Sequence, residues 1–321
     1  MRIAELWRYP VKSMGGEQLD AVEVDQRGVH ADRLWAVRDL QLGAVTTARR
    51  LPMLLGCSAR FVGAPPADAG PGVGAEVLVT FPDGEERSSS DPAVHELLSA
   101  LTGRRVRLVP LPPVTDRAAY RGPLATQNDL RRQFGIPDDE PLPDLTMFPV
   151  RKLAELARYA TPVGTFADAY PLHLLSRASL AAMHGHTPGS DFDRRRFRPS
   201  ILLESDDAPG LVENGWLGGT LTSPETVLRP QIPTIRCSMP AREQPGLEAE
   251  PDVVRTVRRQ ADGCLGVYAD VVSGGRLEVG QELTFEPAAE AAPLAAVATR
   301  LGDAARRAGL RASNVLMPKG R

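Results

Sequence analysis

Hydrophobic and polar positions alternate over short runs through most of the chain. In residues 1–61 the runs "RIAELWRYPVKS", "QLDAVEVDQRGV", "RLWAVRDL", "AVTTARR" and "LLGCSARFV" read as short strands joined by turns. The alternation is clean at Leu19, Val22 and Val24 and looser at Leu34, Ala36 and Val37. "GAPPADAGPGVG" (63–74) is a Pro/Gly loop expected to be mobile. "AEVLVTFPDGEERSSS" predicts a hairpin turning at Pro82-Asp83-Gly84. "DPAVHELLSALTG" predicts a helix, with Asp91 as N-cap, Pro92 in its first turn and Gly103 as its stop.

Residues 112–145 have scattered breakers and no sustained period, so they read as an irregular connection. "FPVRKLAELARYA" and "SRASLAAMHG" predict short helices, the second capped by Ser176 and stopped by Gly185. "RPSILLE", "TLTSPETVLRPQIP", "CLGVYADVVSGG" and "RLEVGQELTFE" read as strands, with a helix at "EPDVVRTVRRQ" between them. From about residue 287 an Ala-rich amphipathic tail predicts a terminal helix. Many short strands, few short helices and no βαβ alternation predict a mainly β, α+β chain. The expected parts are two β-barrel-like domains, 1–118 and 119–286, and a helical tail, 287–321.

A length of 321 residues fits about two domains. The formal net charge of −2 gives no reason to expect a nucleic-acid or membrane partner. The start, "MRIAELWRYP", has no apolar signal region, and no apolar run is long enough to span a bilayer. Cysteines at 57, 237 and 264 are too scattered for a disulfide framework, so a reducing, cytoplasmic location is expected. Neither GxGxxG after a strand nor GxxxxGK[ST] occurs, and no cysteine cluster could hold an iron–sulfur centre.

Chemistry concentrates in "PTIRCSMPAR" (233–242), where Cys237 follows Arg236 and prolines bracket the stretch. The prolines argue against a helix interior or a central strand. A cysteine is most often a small buried hydrophobe. Here the adjacent guanidinium favours thiolate, and a loop after a strand favours exposure. Such a thiolate is a nucleophile or a soft-metal ligand. Cys57, in an apolar strand, and Cys264, opening another, read as structural. A cysteine hydrolase needs a histidine base, and none of His30, His95, His173, His184 and His186 is singled out; His173 reads as a core residue. Only three of the 38 basic residues are lysines, so a single arginine is a weak indicator and Lys12 a stronger one. Lys12, Ser13, Arg33, Arg198 and Arg236 are each read most simply as solvated, but together they could form an anion pocket.

Taken in order, "YPVKSMGGEQLDAVEVDQRGVHADRLWAVRD", "TTARRLPML", "FADAYPLHLLSRASL", "SDFDRRRFRPSILLE", "PTIRC" and "LGVYADVVSGGRLEVGQEL" resemble the MOSC (molybdenum cofactor sulfurase C-terminal) domain superfamily with its N-terminal β-barrel domain. The similar functional type is the mitochondrial amidoxime reducing component and its bacterial relatives. The resemblance covers about residues 1–110 and 165–286. It implies a molybdenum cofactor, with Cys237 as the protein ligand to the metal. It implies that Lys12, Ser13, Arg33, Arg198 and Arg236 hold the pterin and its phosphate. Ser176, an exposed helix cap on this reading, would join them. Asp168 matches an acidic position near the metal, with a hydrogen-bonding or proton-relay role. Pro240 and Ala241 stand where the reductases usually carry threonines, and Ser200 stands in place of an asparagine.

The implied function is two-electron reduction of N-hydroxylated small molecules. Electrons would come from a separate flavoprotein reductase with a ferredoxin- or cytochrome b5-like carrier. The alternatives are a carrier of molybdenum cofactor or of persulfide sulfur, and, more remotely, a cysteine hydrolase.

Overall fold

The structure, a computed structural model, describes residues 1–288 apart from Leu124 and Asp206. The predicted tail helix lies outside the described residues. Among the described residues strand dominates, with six short α-helices, as the periodicities predict. The largest sheet has eight strands, in the order Thr284–Glu286, Thr220–Thr222, Val227–Ile235, Cys264–Ser273, Leu172–Ser176, Ile201–Glu204, Arg2–Arg8 and Glu17–Leu19. Three three-stranded sheets accompany it, and none of the four closes on itself.

The N-terminal strands are built into the second half of the chain. Arg2–Arg8 pairs antiparallel with Ile201–Glu204, and Ala21–Asp25 pairs with Gly275–Glu278. Ile3, Leu6, Val22 and Val24 share a core with Leu172, Ile201, Val267 and Leu277. The expected boundary at 118 therefore does not separate the sheets. Alternation says which face of a strand is apolar but not which strand covers it.

A second core belongs to the first half, where Leu54, Leu55, Val77, Val79, Val94, Leu98 and Val106 pack together. The predicted hairpin is Val77–Thr80 with Glu86–Ser88, and the predicted helix is Ala93–Thr102, ended by Gly103 in the left-handed region. In residues 63–74, expected to be mobile, most positions are exposed, while Ala69 and Gly70 are buried and Gly70 bridges Val73.

Three expectations are corrected. A βαβ unit does occur, because Leu172–Ser176 and Ile201–Glu204 are parallel and the helix Arg177–His186 lies between them. Pro233 lies inside an interior strand, Val227–Ile235, where register shifts next to Pro230 and Pro233 accommodate the missing N–H groups. The connection at 112–145 contains a helix, Gln127–Phe134, whose Thr126 and Asp129 form a capping box.

Gly28 ties the N-terminal strands to the rim of the site. Its φ is +102°, and a Cβ there would lie 2.4 Å from the Pro171 carbonyl oxygen. Backbone cannot swing aside as a side-chain tip can. Gly28→Ala should lower stability by more than about 1 kcal/mol, read as a reduced thermal midpoint.

Candidate functional site

A cavity of about 1010 Å³ opens between the N-terminal loops, the eight-stranded sheet and residues 122–160. Lys12, Ser13, Arg33, Asp168, Arg198, Arg236 and Cys237 all line it. Three of these hold left-handed backbone conformations: Ser13 at φ +73°, Arg33 at +52° and Arg198 at +54°. Such conformations are costly for residues with a Cβ and gather where surrounding structure fixes a site. The Ser13 hydroxyl accepts from the Ala48 amide at 3.0 Å, which locks one loop. The Arg33 amide donates to the Tyr9 carbonyl at 2.8 Å, and its guanidinium pairs with Asp32. Arg198 caps the C-terminus of the short helix Arg194–Phe197.

The guanidiniums of Arg198 and Arg33 lie 4.2 and 5.3 Å from the centroid of the Tyr9 ring. Tyr9 donates its hydroxyl to the Pro199 carbonyl at 3.1 Å. Burial pushes its phenol up, so the ring stays neutral and offers the cations its face.

Lys12 donates to the Phe166 carbonyl at 2.7 Å and to Asp168 Oδ1 at 2.6 Å. Burial pulls its amine down to about 8, against the attraction of Asp168. The other Asp168 oxygen accepts from Arg49 at 3.1 Å. The Asp168 side chain is 42% exposed, and that surface faces the cavity it lines. Burial opposes its charge, but Arg49 and then Lys12 hold the carboxyl well below the ordinary range. Asp168 thus stays an anion that spaces two cations, and no proton remains on it to relay near neutral pH.

Arg49 is the residue that sequence reading missed. It lines the cavity together with Cys237 and, through Asp168, stays firmly cationic. Its only sequence signal was membership of "TTARRLPML". Arg236, expected beside the thiol as an anion ligand, is spent elsewhere. Its Nε donates to the Leu265 carbonyl at 2.9 Å and its Nη1 to the Phe197 carbonyl at 3.0 Å, while Nη2 reaches His173 Nε2. Arg236 therefore braces the loop that carries Cys237. Ser176 is also reassigned. It is 1% exposed and does not line the cavity; its hydroxyl accepts from the Ser179 amide at 3.0 Å and its amide donates to Glu213. That helix end is already satisfied within the protein.

Lys12, Arg33, Arg49, Arg50, Arg196, Arg198 and Arg236 line the cavity against only two carboxylates, Asp144 and Asp168, so its wall carries a surplus of positive charge. Two buried donors, Arg49 Nε and Arg198 Nη2, have no hydrogen-bond partner. A buried unpaired donor is expensive, and an anion in the cavity offsets the surplus charge.

The three thiols differ. Burial pushes Cys57 up to about 12 and Cys264 up to about 11, so both remain protonated. Cys237 is half-buried and free, and it lines the cavity with Arg49. Burial and then Arg236 hold His173 well below its ordinary value, and its Nε2 is taken by Arg236. It is therefore not placed to act as a base for Cys237. Among the described residues, no group of three or more His, Cys, Asp or Glu is arranged to hold a metal ion. No helix there is long and apolar enough to cross a membrane.

The model of the MOSC N-terminal beta barrel domain matches residues 1–86, and that of the MOSC domain matches residues 162–284. Lys12, Ser13, Arg33 and Arg49 fall in the first match, and Asp168, Arg198, Arg236 and Cys237 in the second. Among solved structures, YiiM from Geobacillus stearothermophilus is 18% identical, with a TM-score of 0.28, over 36% of this chain. That match spans 54% of the YiiM chain, about half its length. The YUAD protein from Bacillus subtilis is 12% identical, with a TM-score of 0.41, over 88% of this chain and 93% of its own. A comparison with curated protein sequences gives no match. The two domain matches lie in order, cover most of the chain and together hold every cation and the thiol of the cavity; the chain belongs to the MOSC family, which binds molybdenum cofactor.

Proposed function

We propose that this chain is a molybdenum-cofactor-dependent oxidoreductase that reduces N-hydroxylated small molecules, with Cys237 as the protein ligand to the metal. The observation that carries this reading is one cavity holding an accessible thiol beside Arg49 and two buried guanidinium donors without partners. The cofactor's phosphate is an anion, and its metal favours soft sulfur ligands. The residues present fit both requirements. Arg198, with its free Nη2, and Arg33 would hold the phosphate or pterin. Arg49 would stand beside Cys237 as a fixed cation at the metal-binding end of the cavity. Asp168 acts by positioning Lys12 and Arg49. Lys12, at about 8, is the cavity cation whose charge changes closest to neutrality, and it can hold or release a proton at Nζ.

When bound, the cofactor supplies two-electron redox chemistry. Overall, an N–OH group takes up two electrons and two protons, giving N–H and water. The chain carries no nucleotide-binding motif and no iron–sulfur ligand cluster, so the electrons come from a separate flavoprotein with a ferredoxin- or cytochrome b5-like carrier.

Metal analysis of the purified chain, paired with benzamidoxime reduction by a reduced viologen dye, tests the reading. Molybdenum with turnover is the expected result, with no turnover when NADH is the sole donor. Molybdenum without turnover identifies a carrier, and a chain that takes up no molybdenum ends the proposal.

A further inference from the structure

We infer that the substrate is an amphiphile, in which an N–OH head is carried on an extended aryl or alkyl body that packs against an apolar wall built by residues 122–160. The inference rests on the reaction proposed above and names its substrate class.

The helix Val150–Arg158 is amphipathic. Val150, Leu153, Ala154 and Ala157 follow the i, i+3, i+4, i+7 spacing of a single face, and all four line the cavity. A helix of this kind ordinarily buries such a face against a core. Here no residue of the helix is buried, and Val150 is 58% exposed. Leu153 rests partly against the cluster of Phe148, Ala169, Tyr170 and Ile232, and Val150, Ala154 and Ala157 border open cavity. Leu130 and Phe134, on the helix Gln127–Phe134, add to the same lining.

The wall begins within reach of the thiol. The amide of Ser238, the residue after Cys237, donates to the Gln133 carbonyl at 2.9 Å. Arg258 fastens the far side of that turn, donating to the Gly135 carbonyl at 2.6 Å and pairing with Glu140 at 3.0 Å. A molecule whose polar end sits at Cys237 thus has its remaining length directed along apolar side chains. The whole wall falls within residues 87–161, the stretch that neither family domain matches. The cations and the thiol come from the matched domains, and the apolar wall from the segment between them.

Burial on such a wall makes affinity depend on chain length, by up to about fourfold per methylene. The test is calorimetric titration of the cofactor-loaded full chain with acetamidoxime, hexanamidoxime and decanamidoxime. The expected result is at least tenfold tighter binding of hexanamidoxime than of acetamidoxime, and tighter still for decanamidoxime. Ala157→Glu and Val150→Asp place a charge on the lining face at exposed positions. Each should flatten the series, while Arg151→Gln, off that face, should keep the full slope. A flat series in the unmodified chain refutes the apolar wall even if amidoximes are reduced. A slope that survives both charged variants refutes it too, because the apolar contact then lies elsewhere. A slope lost in both variants without any N–OH turnover upholds the wall and removes the proposed reaction, so the two failures are distinct.

Discussion

Cys237→Ser should bring amidoxime reduction down to background while the chain stays folded and keeps its pterin. The substitution exchanges a soft thiolate for a hard hydroxyl that remains protonated at neutral pH, so the bond to molybdenum is lost or greatly weakened. The half-buried position tolerates the small change in volume, because Cys237 only flanks the first core. Arg198, Arg33 and Lys12, which would hold the anionic part of the cofactor, do not depend on the sulfur. Pterin content, measured by fluorescence after oxidation, should therefore fall far less than turnover. Cys57→Ser and Cys264→Ser are the controls. Burial keeps both thiols protonated, and neither lines the cavity. Both variants should retain activity in whatever fraction folds, with Cys57→Ser the less stable because its thiol is fully buried. Full activity in Cys237→Ser, or loss confined to Cys264→Ser, would show that the wrong thiol has been assigned.

The parts of this site that were legible in the sequence are those whose signal is local. The lone cysteine on a loop, the basic residues beside prolines and the strand alternation all survive in the structure. The unread parts depend on what the fold brings together. Arg49 and Asp168 lie 119 positions apart and meet at 3.1 Å. Nothing in "TTARRLPML" says which of its two arginines turns inward. Arg236 misleads for the opposite reason. It is adjacent to Cys237 in sequence, but its donors are consumed by Phe197, Leu265 and His173. Ser176 was recognised correctly as a cap, but burial removes it from solvent and ligand alike. The parallel pair around the helix Arg177–His186 was missed because a single βαβ unit among many hairpins leaves no repeating pattern.

Arg198→Ala should weaken cofactor retention without touching the metal ligand. Arg198 is held from three directions: its Nη1 donates to the Met14 carbonyl at 2.5 Å, its guanidinium lies on the Tyr9 ring, and its backbone closes a helix in a left-handed conformation. That leaves Nη2 buried and without a partner. A donor fixed this firmly pays little entropy when an anion arrives. Removing one charged donor to a bound anion costs about 1.5–3 kcal/mol, or roughly a ten- to hundredfold loss of affinity. Without the anion, the same truncation relieves an unsatisfied buried donor and lowers the surplus positive charge. The cofactor-free variant should therefore be about as stable as the parent, despite the lost contacts to Met14 and Tyr9. Arg198→Lys should recover only part of the affinity, because one ammonium cannot bond Met14 and present a second fixed donor in the guanidinium geometry. Arg60→Ala, which removes an exposed partner of Glu86 away from the cavity, should change nothing. Excess cofactor should restore activity to Arg198→Ala and not to Cys237→Ser, since one has lost affinity and the other the bond to the metal. If Arg198→Ala retains cofactor as tightly as the parent chain through repeated dilution, the free Nη2 does not face the anion and the phosphate must be held elsewhere in the cavity.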